Sequence, residues 1–243
     1  MSTNEIKPYY ITGVDVKLYS GKVKHLDLKF YKSKDIMIEK QYSKSDKMMK
    51  ELIFASHNKG KIAELKQILE PFGITIKTSE DIEMPDVEET GETFEENAAL
   101  KAVAIAKLTG VTCIADDSGL CVKALGGRPG VYSARYAPNR DFDKAIEMLL
   151  QEIADSKAED RSAYFACVLA LGYPDGTYKS FEGRVDGVIS YDRKGDSGFG
   201  FDPIFVPLGY DKTFAELGAE IKNKISHRGR ALKKFTEYLK TIS

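Results

Sequence analysis

Asp116 and Asp117 are neighbouring carboxylates in the run Ile114-Ala115-Asp116-Asp117-Ser118-Gly119, where an apolar stretch of strand character gives way to turn-forming residues. Carboxylates at the carboxyl end of a buried strand suit a hard cation. Oxygen ligands select Mg²⁺ or Mn²⁺ over zinc, and open α/β sheets gather their ligands at that edge. The pattern predicts a magnesium-dependent phosphate enzyme, with both acids in a turn at residues 116–119. Asp, Ser and Gly also build turns that do no chemistry, so the motif alone leaves a plain loop open.

Other segments could serve such a site. Ser56-His57-Asn58-Lys59-Gly60-Lys61 falls between a predicted strand and a predicted helix, where backbone N–H groups and the positive helix end attract phosphate. It is no Walker A loop, which would need glycine at Ala55 and Ser or Thr at Ile62. Lys101 lies four residues after Asn97, so the two share a helix face; the lysine can reach solvent or point into a phosphate site. Glu88 and Glu89 stand before that helix as further metal ligands or as part of a solvated acidic loop. Towards the C-terminus, Gly198-Phe199-Gly200-Phe201-Asp202-Pro203 joins flexible backbone to rings that could stack a base and a carboxylate that could bond its edge. Ser226-His227-Arg228-Gly229 offers donors at a helix start, where a simple N-cap is the alternative.

These residues need elements to hold them. Residues 52–55 read as a buried strand. Ile62, Leu65, Ile68 and Leu69 follow at helical spacing until Pro71-Phe72-Gly73, and strand character resumes at residues 74–76. The acidic segment 80–92 reads as a loop. Thr93 and Glu96 then form a capping-box pattern opening a helix that ends at Gly110, and strand 111–115 leads into the acid pair. Residues 120–140 look irregular, 142–153 helical, and 162–171 with 177–185 a long hairpin around Tyr173-Pro174-Asp175-Gly176. Ser226 is placed to cap a last helix with Leu232, Phe235 and Leu239 on its buried face. The expectation is an α/β fold with a mixed sheet.

The first 48 residues differ in kind. They alternate in β fashion through Tyr10-Ile11, residues 14–19 and residues 26–30, with Ser20-Gly21 as the turn and a polar linker at 43–47. They carry ten lysines against six acids, a net of +4, while the remainder has 26 basic and 31 acidic side chains. We divide the chain into a small β-rich N-terminal extension, 1–48, and a main domain, 49–243. Lysines on a strand edge commonly prevent aggregation, and a net charge of −1 over 243 residues gives no general attraction to nucleic acid. No apolar run approaches the roughly 20 residues of a membrane span, and a cytoplasmic protein is expected. Cys113, Cys121 and Cys167 sit in apolar surroundings and read as buried thiols; no zinc spacing joins them to His25, His57 or His227.

Taken in order, six segments resemble the inosine triphosphate pyrophosphatase family: SHNKGK (56–61), EETGETFEENAALKA (88–102), IADDSGL (114–120), GGRPGVYSARY (126–136), GFGFDPIF (198–205) and SHRGRAL (226–232). The resemblance covers residues 50–240. It implies hydrolysis of non-canonical purine nucleoside triphosphates (ITP, dITP, XTP) to monophosphate and pyrophosphate. It also implies an elongated two-lobed fold with a central mixed sheet flanked by helices, an active site in the cleft, and a homodimer. By position, it implies that Ser56, His57, Asn58, Lys59, Gly60, Lys61 and Lys101 hold the triphosphate. Asp117 binds Mg²⁺, for which Mn²⁺ could substitute, and activates water. Glu89 completes the metal site, with Asp116 and Glu88 as less certain neighbours. Ser118 touches substrate, and Phe199, Gly200, Phe201, Asp202, Lys222, His227 and Arg228 enclose the base. Two rival readings keep part of this machinery: a pyrophosphatase for other modified nucleotides, and a non-catalytic nucleotide sensor.

Overall fold

The computed structural model describes residues 9–17, 23–32, 51–82 and 84–242. Their strands are β1 (Tyr9–Lys17), β2 (Val23–Lys32), β3 (Glu51–Phe54), β4 (Thr75–Lys77), β5 (Asp86–Val87), β6 (Cys113–Val122), β7 (Ser162–Gly172), β8 (Thr177–Ile189) and β9 (Phe205–Pro207). The helices are α1 (Lys59–Leu69), α2 (Phe94–Thr109), α3 (Phe142–Asp155), α4 (Phe214–Ile225) and α5 (His227–Ile242). The sheet runs β4-β3-β6-β7-β8-β2-β1-β5, with β9 on β8. It is mixed, as expected: β3 pairs parallel with β4 and β6, and β8 pairs antiparallel with β9. The chain forms two compact units, one of Met1–Asp116, Leu169–Phe181 and Lys234–Ser243, the other of Asp117–Val168 and Glu182–Lys233.

In the first unit, Leu52, Ile53 and Phe54 of β3 are all buried, as an apolar run between two parallel neighbours should be. Ile53 joins Met84, Ile105, Ala106 and Cys113 in a core cluster, where each large side chain contributes about 1.5–3 kcal/mol. α2 begins at a complete capping box: Thr93 Oγ1 accepts from the Glu96 N–H at 3.1 Å, and Glu96 Oε2 accepts from the Thr93 N–H at 3.1 Å. It ends at Gly110, whose φ of 73° few other residues adopt readily. Its buried alanines let the sheet come close, and a Cβ on Gly172 of β7 would stand 2.6 Å from the Ala102 carbonyl carbon. The strands β1 and β2 pair antiparallel with an irregularity between Ile11 and Val14; β2 meets β8 at Tyr31↔Thr177, and β1 meets β5 at Val16↔Val87.

The second unit is built on Leu120, Val122, Leu149, Phe201, Phe205 and Phe214. Asp141 caps α3 by accepting from the Lys144 N–H. β8 lies directly on the start of α5: a Cβ on Gly183 would collide with the His227 carbonyl oxygen and stand 2.5 Å from the Ala231 nitrogen. α4 is bent at Gly218, where φ is 79°.

Three expectations need correction. Residues 116–119 form no turn; β6 continues straight through both acids to Val122, with Asp116 and Asp117 almost fully buried. The ladder and burial of both faces outweigh the local turn preference of Asp, Ser and Gly. The acidic loop is not wholly irregular, because Asp86–Val87 forms the short β5 against β1. Beyond Val122 the 120–140 segment is organised by short 3₁₀ turns at Lys123–Leu125, Gly130–Arg135 and Pro138–Arg140. The expected turn at Ser20-Gly21 and the linker at 43–47 lie outside the described residues. The three cysteines are buried and form no disulfide, and among the described residues no helix is long and apolar enough to cross a membrane.

Candidate active site

In the first unit two lysines converge on Asp116, within β6. Lys61, in the first turn of α1, reaches Asp116 Oδ2 at 2.9 Å, and Asp116 is 2% exposed. Lys101, on α2, donates to the Asp116 backbone oxygen at 2.8 Å and to Glu89 Oε1 at 2.6 Å. Lys101 is thus held by Glu89 and Asp116 rather than running out to solvent, at 16% side-chain exposure. Asn97, one turn before it, accepts from the Gly91 N–H at 2.8 Å, and Glu96 accepts from the Glu92 N–H at 2.8 Å. The loop carrying Glu88 and Glu89 is thus stitched to the start of α2.

The 56–61 loop is shaped by its own side chains. Asn58 Oδ1 accepts from the Gly60 and Lys61 N–H groups at 2.9 and 3.2 Å, and Ser56 Oγ from the Asn58 N–H. Asn58 is an N-cap, so part of the N–H array expected to face phosphate bonds within the chain. Lys59 is exposed, and His57 Nδ1 lies 3.7 Å from Asp86 Oδ1. The sequence pattern did not anticipate this last contact, since no local spacing relates residue 57 to residue 86.

In the second unit, Asp117 Oδ1 accepts from the Ser118 N–H at 3.0 Å, and Arg228 Nη2 donates to Ser118 Oγ at 3.1 Å. Asp202, 2% exposed, takes Lys222 Nζ at 2.6 Å and the Phe199 N–H at 2.8 Å on one oxygen. Lys222 Nζ lies 4.3 Å from the centroid of the half-buried Phe199 ring, and the Arg228 guanidinium 5.7 Å. Phe199 is therefore a platform flanked by two cations. Phe201 points the other way, into the core edge-on to Phe142 and Tyr136, and Gly200 is half-buried with φ of 66°. The His227 ring stacks on Phe165 at 4.7 Å and is buried.

Sequence reasoning passed over Ser133. It accepts from the Leu120 N–H at 2.9 Å and donates to the Gly130 oxygen at 2.6 Å, tying the 126–136 segment to β6 just after the acids. Tyr136, at the end of that segment, has its hydroxyl pushed up to about 12 by burial and by Glu152 beside it.

Asp117 and Glu89 offer hard carboxylate oxygens of the kind magnesium takes. Among the described residues no three His, Cys, Asp or Glu side chains converge as a metal cage. Glu89 belongs to the first unit and Asp117 to the second, and each carboxylate taken by itself is of the hard-oxygen kind that Mg²⁺ binds beside phosphate and water.

A sequence profile described as the Ham1 family matches residues 52–238. The chain is 51% identical over 194 residues to a dITP/XTP pyrophosphatase of Bacillus subtilis (strain 168), spanning 79% of this chain and 98% of that protein. Its structure resembles that of a HAM1 protein from Coxiella burnetii, with a TM-score of 0.76 and 40% identity over 79% of this chain and all of the other. The Ham1 protein of Staphylococcus aureus gives a TM-score of 0.73 and 46% identity over 80% of this chain and all of that one.

Proposed function

Since this chain belongs to the Ham1 family, we propose that it is a dITP/XTP pyrophosphatase, cleaving non-canonical purine nucleoside triphosphates to the monophosphate and pyrophosphate. The carrying observation is the 51% identity to the Bacillus subtilis enzyme over 98% of that protein's length. Water attacks the α-phosphorus, the bond to the β-phosphate's bridging oxygen breaks, and pyrophosphate leaves. Asp117 takes the proton of the attacking water onto its carboxylate. Lys61 and Lys101, one fixed by Asp116 and the other by Glu89, set positive charge against the phosphates. Mg²⁺, held by Asp117 and Glu89, would neutralise phosphate charge and lower the pKa of bound water. Phe199, gripped through Asp202 and Lys222, stacks the base, while Arg228 and His227 supply donors to a 6-oxo group that adenine lacks. Leaving such donors unpaired against an adenine amino group can cost roughly 10⁴-fold in efficiency. The working form is a homodimer acting on the cytoplasmic nucleotide pool.

Incubation with Mg²⁺ and dITP, XTP, ITP, GTP or ATP tests this. Monophosphate with pyrophosphate from dITP and XTP is expected; diphosphate with orthophosphate would refute the reaction, and equal efficiency on ATP would refute the base-recognition reading. Asp117→Asn should still bind nucleotide while turnover drops by about 10²–10⁴-fold.

A further inference from the structure

We propose that the N-terminal hairpin of β1 and β2 is a strap that positions Glu89 by adding a strand to the acidic loop. This rests on the reading of Glu89 as a ligand carboxylate and deepens it. The hairpin lies outside the family match, which begins at residue 52, and the similar Bacillus subtilis protein is spanned almost whole by 79% of this chain. It is therefore an addition to a complete domain, and its place in the sheet says what it adds.

β5 consists of Asp86 and Val87, and among the described residues its neighbour in the sheet is β1, through Val16↔Val87 and Lys17↔Asp86. Two residues cannot hold strand geometry without a partner. Glu89 follows two positions later, and the loop is next fastened at Gly91 and Glu92, whose N–H groups bond Asn97 and Glu96. The backbone of Glu88, Glu89 and Thr90 thus runs between two anchors, the hairpin on one side and the α2 cap on the other, while the Glu89 side chain is held by Lys101 at 2.6 Å. The second anchor lies within the family match and the first does not.

The register favours the same contact. Residues 80–92 hold seven acids and no base, and Asp86 among them is paired in the β1–β5 register with Lys17. Asp86 also approaches His57, so β5 links the hairpin to the 56–61 loop. The other strand of the hairpin is held by β8 at Thr177 and Tyr178. Tyr178 and Ser180 in turn donate to Glu95 in the first turn of α2, so both anchors of the acidic loop return to one corner of the unit.

The test uses the full chain. Val16→Pro places a residue without an N–H in the register that meets Val87, and Thr12→Pro places one in the irregular stretch between Ile11 and Val14 as a control. Lys17→Glu, which sets like charges opposite each other, is the milder companion should Val16→Pro fail to fold. In metal-free protein, amide hydrogen exchange over residues 84–91 should quicken by about tenfold or more in Val16→Pro, and in the same direction in Lys17→Glu. Exchange in β3 and α2 should stay at the parent rate, as should that of Thr12→Pro throughout. With dITP, the Mg²⁺ concentration for half-maximal rate should rise about tenfold while the rate at saturating Mg²⁺ changes by less than about threefold. Parent-like exchange over 84–91 in both variants overturns the strap, and faster exchange with an unchanged Mg²⁺ requirement overturns its positioning of Glu89. Failure of the parent to release pyrophosphate from dITP would instead refute the proposed activity, and the exchange contrast would still decide the strap.

Discussion

Replacing Lys222 by Met separates a structural ion pair from a substrate contact. Lys222 and Asp202 are almost fully buried, with 6% and 3% of their side chains exposed, and they meet at 2.6 Å. The same carboxylate oxygen also takes the Phe199 N–H, so Asp202 ties α4 to the turn that presents the Phe199 ring. Lys222→Met leaves a buried carboxylate with the Phe199 N–H and no cation from α4. Removing one partner of such a pair costs about 3–5 kcal/mol. At about 2–4 °C per kcal/mol for a chain of this size, the melting midpoint should fall by about 6–20 °C. The double variant Lys222→Met/Asp202→Asn deletes both charges and keeps an acceptor for the Phe199 N–H, so it should recover more than half of the loss. Thermal melting by circular dichroism, with KM for dITP measured well below the variant's midpoint, reads both consequences. A single variant melting within about 2 °C of the parent while KM rises sharply would refute the reasoning. Lys222 would then act on substrate alone.

Alkaline pH should weaken the fold. Burial raises the Cys113 thiol from its ordinary 9.0, and burial with Glu152 raises Tyr136 from 10.0 to about 12, so above about pH 9 the unfolded chain releases protons that the native one keeps. This stability is fully present below the unfolded values and is lost as pH rises, so the urea midpoint should be lower at about pH 10.5 than at about pH 8. Gly183→Ala should destabilise strongly, by more than about 3 kcal/mol, because its Cβ meets backbone atoms of His227 and Ala231 that cannot swing aside; a parent-like melt would show that β8 and α5 separate more easily than their packing indicates.

Much of the frame was readable from local pattern. Thr93 and Glu96 declare a helix start within four residues, Gly110 declares its end, and Tyr173-Pro174-Asp175-Gly176 declares a hairpin; each signal acts through neighbours in sequence. What escaped was set by partners far along the chain. Asp116 and Asp117 look like a turn and lie in a strand because β6 is held in the ladder and buried on both faces. β5 has no signal of its own, since Asp86 and Val87 become a strand only against Val16 and Lys17. Among the site candidates, Lys101 was legible as a polar residue on an alanine-rich face, yet nothing in its surroundings named Glu89 and the Asp116 oxygen as its partners. His57 and Asp86, 29 positions apart, illustrate the same limit.

The tandem placement of Asp116 and Asp117 in β6 also bears on how this sequence can change over generations. Side chains alternate across a strand, so the two acids occupy opposite faces, and a shift of one position hands every place to the neighbouring residue. A deletion just upstream that slid the strand would bring Asp117 opposite Lys61 and leave Ser118 where Asp117 had been. The half-buried Lys61 keeps a counter-charge while the position proposed to activate water receives a hydroxyl. An insertion would do the reverse, moving Asp116 into Asp117's place and setting Ala115 against Lys61. Small length changes in this strand thus reassign both acid positions in a single step, whereas point substitutions alter them one at a time.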